Sequence, residues 1–164
     1  MRYLLVFVFA YASVSLQAQE TLESLLKKHN TKSIPYMTVQ ELAMPKTNAI
    51  ILDTRELDEY KVSHLKNAIH VGYSHFKIDS VLYNIQNKAT PIVTYCSLGI
   101  RSETIAIHLK KAGYTHIKNL YGGIFEWKNN NLSVYNIQEK ETDSIHTFSK
   151  VWSKWLKKGI KVYD

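Results

Sequence analysis

The sequence predicts an α/β fold with a mainly parallel sheet, because short apolar runs rich in β-branched residues alternate with helical patterns. A chain of 164 residues has room for one domain, which buries about two thirds of the surface of its unfolded chain. The only cysteine, Cys96, lies where one apolar run ends and a helical pattern begins. Ligands of open parallel sheets bind beyond the carboxyl ends of the strands, so Cys96 is the first candidate for a functional residue.

Four apolar runs predict strands, and helical patterns separate them. The predicted strands are residues 49–53, 68–71, 91–95 and 116–120, of which 68–71 gives the weakest pattern. Helices are predicted over 20–29 and after a capping box formed by Thr38 and Glu41. Two more are predicted, one that begins near Ser102 and ends at Gly113, and one that follows the glycine pair at 122–123. This alternation implies right-handed crossovers between parallel strands.

The first 18 residues have the layout of a secretory signal peptide. Arg2 precedes an apolar run from Tyr3 to Ala12, and small residues follow, with cleavage favoured after Ala18 and Ser15 as the alternative. The apolar run is too short to cross about 30 Å of hydrocarbon, which needs about 20 residues, so a membrane anchor is the less favoured interpretation. We therefore expect export, to a periplasm or outside the cell, and a helical lead-in over 19–33.

The charge and the C-terminal pattern bear on partners. A net charge of +7 can attract anionic substrates or a membrane surface, but an ordinary solvated basic surface is the favoured interpretation. The sequence has no basic run interleaved with stacking aromatics, so it gives little indication of nucleic-acid binding. The extension over 131–164 predicts an amphipathic helix with a basic face and an apolar face. The apolar face would carry Ile145, Phe148, Trp152, Trp155 and Leu156, opposite Lys150, Lys154, Lys157 and Lys158. Such a helix can lie on a membrane surface, but docking onto the protein's own core is favoured.

The segment that follows the strand over 91–95 has the pattern Cys-x4-Arg-Ser and predicts an anion site. The free N–H groups and the dipole of the following helix favour a thiolate on Cys96, and then a negative group bound to it. Gly99 lets the backbone turn inward, and Arg101 adds a positive charge. A free cysteine can also be a small buried apolar residue, but this position favours a reactive role.

Four motifs in the same order resemble the single-domain rhodanese-like sulfurtransferases, over about residues 38–130. The motifs are ILDTRELDEY (51–60), SHLKNAIHV (63–71), IVTYCSLGIRS (92–102) and LKKAGYTHIKNLYGG (109–123), followed by Trp127. Ser63 departs from the family, which usually has glycine before the histidine that matches His64. The resemblance implies a five-stranded, mainly parallel sheet flanked by helices on both faces, within a domain over 34–130.

The resemblance also implies an activity. Cys96 would take a sulfur atom from thiosulfate or a persulfide and carry it as a Cys96 persulfide. Cyanide or a thiol would then accept that sulfur atom, and a protein thiol is a further candidate acceptor. The N–H groups of the loop would bind the persulfide anion, which assigns substrate binding to Ser97, Leu98, Gly99, Ile100, Arg101 and Ser102. Phosphatases of this fold have one more residue between cysteine and arginine, so the loop over 96–101 is expected to be too tight for phosphate. The apolar Leu98 and Ile100 favour a persulfide donor over thiosulfate.

Other residues are expected to support the loop. We predict a hydrogen-bonded group of Asp53, Arg55 and Glu59 beside it. No metal or other cofactor is expected, because His64, His70 and His75 fit no common ligand spacing. A non-catalytic module that binds sulfur or docks a partner protein is the alternative function.

Overall fold

A five-stranded sheet forms the centre of the computed structural model, which describes residues 20–163. The predicted signal peptide over 1–18 lies outside the described residues. The strands are β1 (Tyr36–Met37), β2 (Ile50–Asp53), β3 (Ile69–His70), β4 (Ile92–Tyr95) and β5 (Ile117–Leu120). They follow the order β1-β5-β4-β2-β3, and every neighbouring pair is parallel. The α/β class and the five-stranded parallel sheet are thereby confirmed.

Six helices connect and cover the strands in the described part of the chain. They are α1 (Leu22–His29), α2 (Val39–Leu42), α3 (Leu57–Val62), α4 (Ile78–Asn84), α5 (Arg101–Lys111) and α6 (Gly123–Asn129). The capping box is confirmed at α2, where Thr38 Oγ1 accepts from the Glu41 N–H (3.2 Å) and Glu41 Oε2 accepts from the Thr38 N–H (2.7 Å). Between residues 20 and 163, none of the helices has the length and apolar character needed to cross a membrane.

The hydrophobic core has two parts, one on each face of the sheet. One part takes buried side chains from α1, α2 and α6, and the other takes them from α4 and α5. The central strand β4 is buried along its whole length, with Val93 and Tyr95 in the first part and Ile92 in the second. This burial on both faces is the reason that β4 reads as a continuous apolar run rather than an alternating one.

The predicted C-terminal amphipathic helix is wrong. The extension forms an antiparallel pair, β6 (Val134–Tyr135) with β7 (Glu141–Thr142), and a parallel pair, β8 (Ser144–His146) with β9 (Ile160–Val162). A single 3-10 turn covers Trp152–Trp155. β-branched and aromatic residues over 144–148 are weak helix formers, and Phe148 has a left-handed φ of 62°, which a helix cannot contain.

The extension nevertheless docks onto the body of the protein, as its apolar pattern predicts. Ile145 and Leu156 are buried in the same part of the core as Tyr95 and Leu120. Trp152 and Trp155 are partly buried against it. Phe148 differs, because 49% of its surface is exposed. The extension is therefore continuous with the core rather than a separate unit.

Replacing Ile145 with alanine should lower the free energy of unfolding by about 2–4 kcal/mol, because its side chain is fully buried in the main core. Ile160→Ala in the neighbouring strand β9 is the matched control, since Ile160 is 61% exposed, and should change stability by less than about 0.5 kcal/mol. Urea denaturation measures both. Equal, small effects would contradict the assignment of the extension to the core.

Candidate active site

Cys96 lies in the loop between β4 and α5, with its sulfur facing the backbone of the same loop. The residue is only 2% exposed. The Gly99 N–H donates to Cys96 Sγ at 3.1 Å, and the Ser102 hydroxyl lies 3.6 Å from the same atom. Polar donors therefore surround a buried thiol, which is the arrangement that the Cys-x4-Arg-Ser pattern predicts.

The environment favours the ionised form of this thiol. Burial raises the pKa of Cys96, but the positive charge of Arg101 and hydrogen bonds donated by Ser102 and Leu98 outweigh it. The pKa of Cys96 is therefore lowered below its ordinary value. The thiolate is the nucleophilic form of cysteine. At neutral pH, a larger fraction of Cys96 is therefore present as the reactive thiolate than would be the case for a free cysteine.

The N-terminus of α6 orients the loop peptides. The N–H groups of Ile124 and Phe125 donate to the carbonyls of Cys96 (2.9 Å) and Ser97 (3.2 Å). In a trans peptide the N–H points away from its carbonyl, so the N–H of Leu98 points away from α6, toward the sulfur. Gly123 makes this approach feasible: a Cβ there would lie 2.1 Å from the Cys96 carbonyl oxygen.

Gly99 makes the turn that aims its own N–H at the sulfur. Its φ is 102°, a conformation that favours glycine, and a Cβ would lie 3.1 Å from the Leu120 carbonyl oxygen. Two amide side chains hold its carbonyl from the other side: Asn119 Nδ2 at 2.7 Å and Asn30 Nδ2 at 2.8 Å. Neither asparagine is predicted by the sequence, because nothing in their local pattern distinguishes them from surface amides.

Arg101 forms a two-pronged ion pair with Glu59 of α3. Arg101 Nη1 donates to Glu59 Oε2 at 2.6 Å, and Arg101 Nη2 donates to Glu59 Oε1 at 2.7 Å. Ser97 Oγ lies 3.1 Å from Glu59 Oε1 and 3.1 Å from Arg101 Nη2. Burial raises the pKa of Glu59, but the hydrogen bonds and charge of Arg101 outweigh it, so the pKa of Glu59 is lowered. The ionised Glu59 therefore holds the Arg101 guanidinium in place beside the loop.

The three residues expected to form one supporting group belong to two separate ion pairs, Asp53 with Arg55 and Glu59 with Arg101. Arg55 is fully buried and donates from Nε and Nη2 to Asp53, at 3.0 and 2.6 Å. Among residues 20–163, no hydrogen bond joins Glu59 to this pair. Arg55 Nη2 also donates to the Ser63 carbonyl at 2.6 Å, and Ser63 has a φ of −168°, extended backbone that does not require glycine.

Two of the histidines bond to backbone carbonyls. His64 Nδ1 lies 3.2 Å from the Tyr60 carbonyl oxygen, and the His64 ring stacks on the Tyr60 ring. His70 Nε2 lies 2.9 Å from the Arg55 carbonyl oxygen. Within the described range, 20–163, no group of three or more His, Cys, Asp or Glu residues could hold a metal ion. These two histidines therefore have structural partners.

An apolar pocket of about 280 Å³ opens in front of the loop. Its lining residues come from the loop, from the segment after β3 and from the C-terminal extension: Cys96, Ser97, Leu98, Ile100, Arg101, Tyr73, Phe148 and Trp152. The sequence pattern predicts Phe148 and Trp152 on a helix face and gives no connection between them and Cys96. Their aromatic character was the only available signal.

The chain is similar in sequence to known proteins over its central part. A family model described as the rhodanese-like domain matches residues 38–130. The thiosulfate sulfurtransferase GlpE of Coxiella burnetii is 32% identical over 97 residues, covering 59% of this chain and 87% of that protein. A tRNA uridine(34) hydroxylase of Aster yellows witches'-broom phytoplasma is 33% identical over 99 residues, which cover 56% of this chain and 32% of that protein.

Solved structures share the fold at lower identity. A thiosulfate sulfurtransferase from Pseudomonas aeruginosa matches with a TM-score of 0.60 at 19% identity, covering 82% of this chain and 25% of that one. The BH2092 protein from Bacillus halodurans matches with a TM-score of 0.56 at 22% identity, covering 71% of this chain and 87% of that one. Because the rhodanese-like domain spans more than half of the sequence, the chain belongs to the rhodanese-like family.

Proposed function

We propose that the protein is a sulfurtransferase that carries sulfane sulfur as a persulfide on Cys96. One observation carries the proposal: Cys96, whose pKa is lowered, accepts a hydrogen bond from the Gly99 N–H in the loop just before α5, where an added negative sulfur would also be stabilised. The similarity to a thiosulfate sulfurtransferase over most of that relative's length supports it. The similarity to the hydroxylase covers a third of that protein and supports only a shared domain.

The first step of the proposed reaction loads the sulfur. The Cys96 thiolate attacks the outer sulfur of thiosulfate, a new S–S bond forms, and the original S–S bond breaks with its electron pair leaving on sulfite. The product is a Cys96 persulfide anion. The N–H groups of Leu98, Gly99 and Ser102 stabilise this negative charge, since they already face the sulfur in the resting protein. No proton needs to move.

The second step unloads the sulfur. A thiolate or cyanide attacks the outer sulfur of the persulfide, and the electron pair of the breaking S–S bond returns to Cys96 as its thiolate. The lowered pKa of Cys96 helps this step too, because a more stable thiolate is a better leaving group. The same donors therefore serve both half-reactions.

Phosphate transfer is disfavoured by the state of Arg101. An arginine that binds a phosphate ester uses its fork of N–H groups on the phosphate oxygens. Here both terminal nitrogens of Arg101 are already bound to Glu59. The proposed role of Arg101 is to hold the loop and lower the pKa of Cys96.

Treatment with thiosulfate should add one sulfur atom to the intact protein, as measured by mass spectrometry, and cyanide should remove it as thiocyanate. Cys96→Ser should show no adduct, because the chain has no other cysteine. An aryl phosphate should give no turnover. A wild-type protein that takes up no sulfur from thiosulfate or from a low-molecular-weight persulfide would contradict the proposal.

Arg101→Gln should move the pH profile of Cys96 alkylation by iodoacetamide to higher pH, because the charge that lowers the pKa of Cys96 is lost. At pH 7 the reaction should be several-fold slower, since less thiolate is present. The double variant Glu59→Gln/Arg101→Gln is the control, because it leaves no unpaired buried carboxylate. Profiles that match the wild type in both variants would refute this role for Arg101.

A further inference from the structure

The C-terminal extension supplies part of the wall in front of Cys96. Phe148 and Trp152 border the pocket of about 280 Å³, opposite Leu98 and Ile100 of the loop. Both aromatic residues lie outside the matched family domain at 38–130. This side of the pocket is therefore a feature of this chain's own extension.

The pocket offers little free positive charge to a small, doubly charged anion. Arg101 is the cation in its wall, and both terminal nitrogens of Arg101 are bound to Glu59. The ring of Phe148 lies over the same guanidinium, with 4.8 Å between Arg101 Cζ and the ring centroid. The remaining wall is mostly aliphatic and aromatic, which favours an apolar group.

The aromatic wall is held in place rather than loosely attached. The Thr147 N–H donates to the Val162 carbonyl at 2.9 Å, which fixes the residue before Phe148 to β9. Phe148 itself has a φ of 62°, which is unusual for a bulky residue, and its N–H donates to His146 Nδ1 at 3.2 Å. Trp152 packs against the main core and edge-on against His29, with the ring centroids 6.3 Å apart. Strained residues of this kind cluster at ligand sites.

We propose that the extension selects an organic sulfane-sulfur donor whose apolar or aromatic group lies between Phe148, Trp152 and the loop. This inference rests on the proposed persulfide chemistry of Cys96. The size is suitable, because a dry cavity of about 150 Å³ is enough for a benzene ring. With an aryl thiosulfonate, the Cys96 thiolate attacks the outer sulfur, the S–S bond of the donor breaks, and its electron pair leaves on the aryl sulfinate.

The test compares three donors of graded apolar size: thiosulfate, methanethiosulfonate and benzenethiosulfonate. The two thiosulfonates carry the same charge, so their comparison isolates the phenyl group. Second-order rate constants for formation of the Cys96 persulfide are measured by intact mass in single-turnover experiments. Each constant is divided by that of the same donor with N-acetylcysteine. After this correction, wild type should prefer benzenethiosulfonate over methanethiosulfonate by about tenfold or more.

Phe148→Gly should reduce this preference by roughly three- to tenfold, because it removes one aromatic wall. Glycine also accepts the positive φ, so the melting temperature should stay within about 3 °C of wild type. Trp152→Leu, which keeps an aliphatic contact with the core, should reduce the preference in the same direction. Val151→Ala is the matched control, since Val151 is 70% exposed and does not line the pocket, and it should leave the preference unchanged.

The outcomes separate this inference from the proposed function. A corrected preference near one in wild type, or a preference that Phe148→Gly leaves intact, overturns the inference while the persulfide of Cys96 stands. Failure of all three donors to load Cys96 overturns the inference, and failure of a low-molecular-weight persulfide as well overturns the proposed function.

Discussion

The geometry of the site depends on the backbone hydrogen bonds between the N-terminus of α6 and the loop that follows β4. The first N–H groups of α6 bind the carbonyls of Cys96 and Ser97, and so direct the N–H of the following peptide to the thiol side of the loop. This contact needs a residue without a Cβ at Gly123, where an added carbon would lie 2.1 Å from the Cys96 oxygen. A single close approach between two backbones thereby orients the Leu98 N–H, one of the donors that lower the pKa of Cys96.

The charges around the loop are balanced so that they stabilise an anion on sulfur without offering a second anion site. Arg101 lowers the pKa of Cys96 by its charge, yet its hydrogen-bonding fork is bound to the buried Glu59. The Asp53–Arg55 pair lies at the end of the neighbouring strand β2. Arg55 of this pair donates to the carbonyl of Ser63, the residue that follows α3. Because α3 also carries Glu59, this second pair fixes the end of the helix that holds Arg101.

Local sequence patterns predicted the elements whose signals are contained in neighbouring residues. Strand β4, Cys96, Gly99 and the start of α5 are consecutive, and their positions follow from an apolar run, a glycine and a helical stripe. Strand β1 has only two residues, too few for any periodicity, and only the family resemblance implied a fifth strand. The division of the supporting group into two ion pairs depends on the distance between α3 and the loop, which no local pattern contains.

The extension shows why an apolar pattern predicts burial better than it predicts secondary structure. Ile145 and Leu156 are buried as expected, but a strand and a turn, rather than a helix, bring them to the core. The left-handed φ of Phe148 is incompatible with a helix, and its ring lies over the Arg101 guanidinium. In the proposed reaction, the backbone N–H groups bind the same persulfide anion whichever donor supplied the sulfur, so they do not discriminate between donors. Discrimination then depends on the side chains that line the pocket, where the extension contributes two of the three aromatic residues.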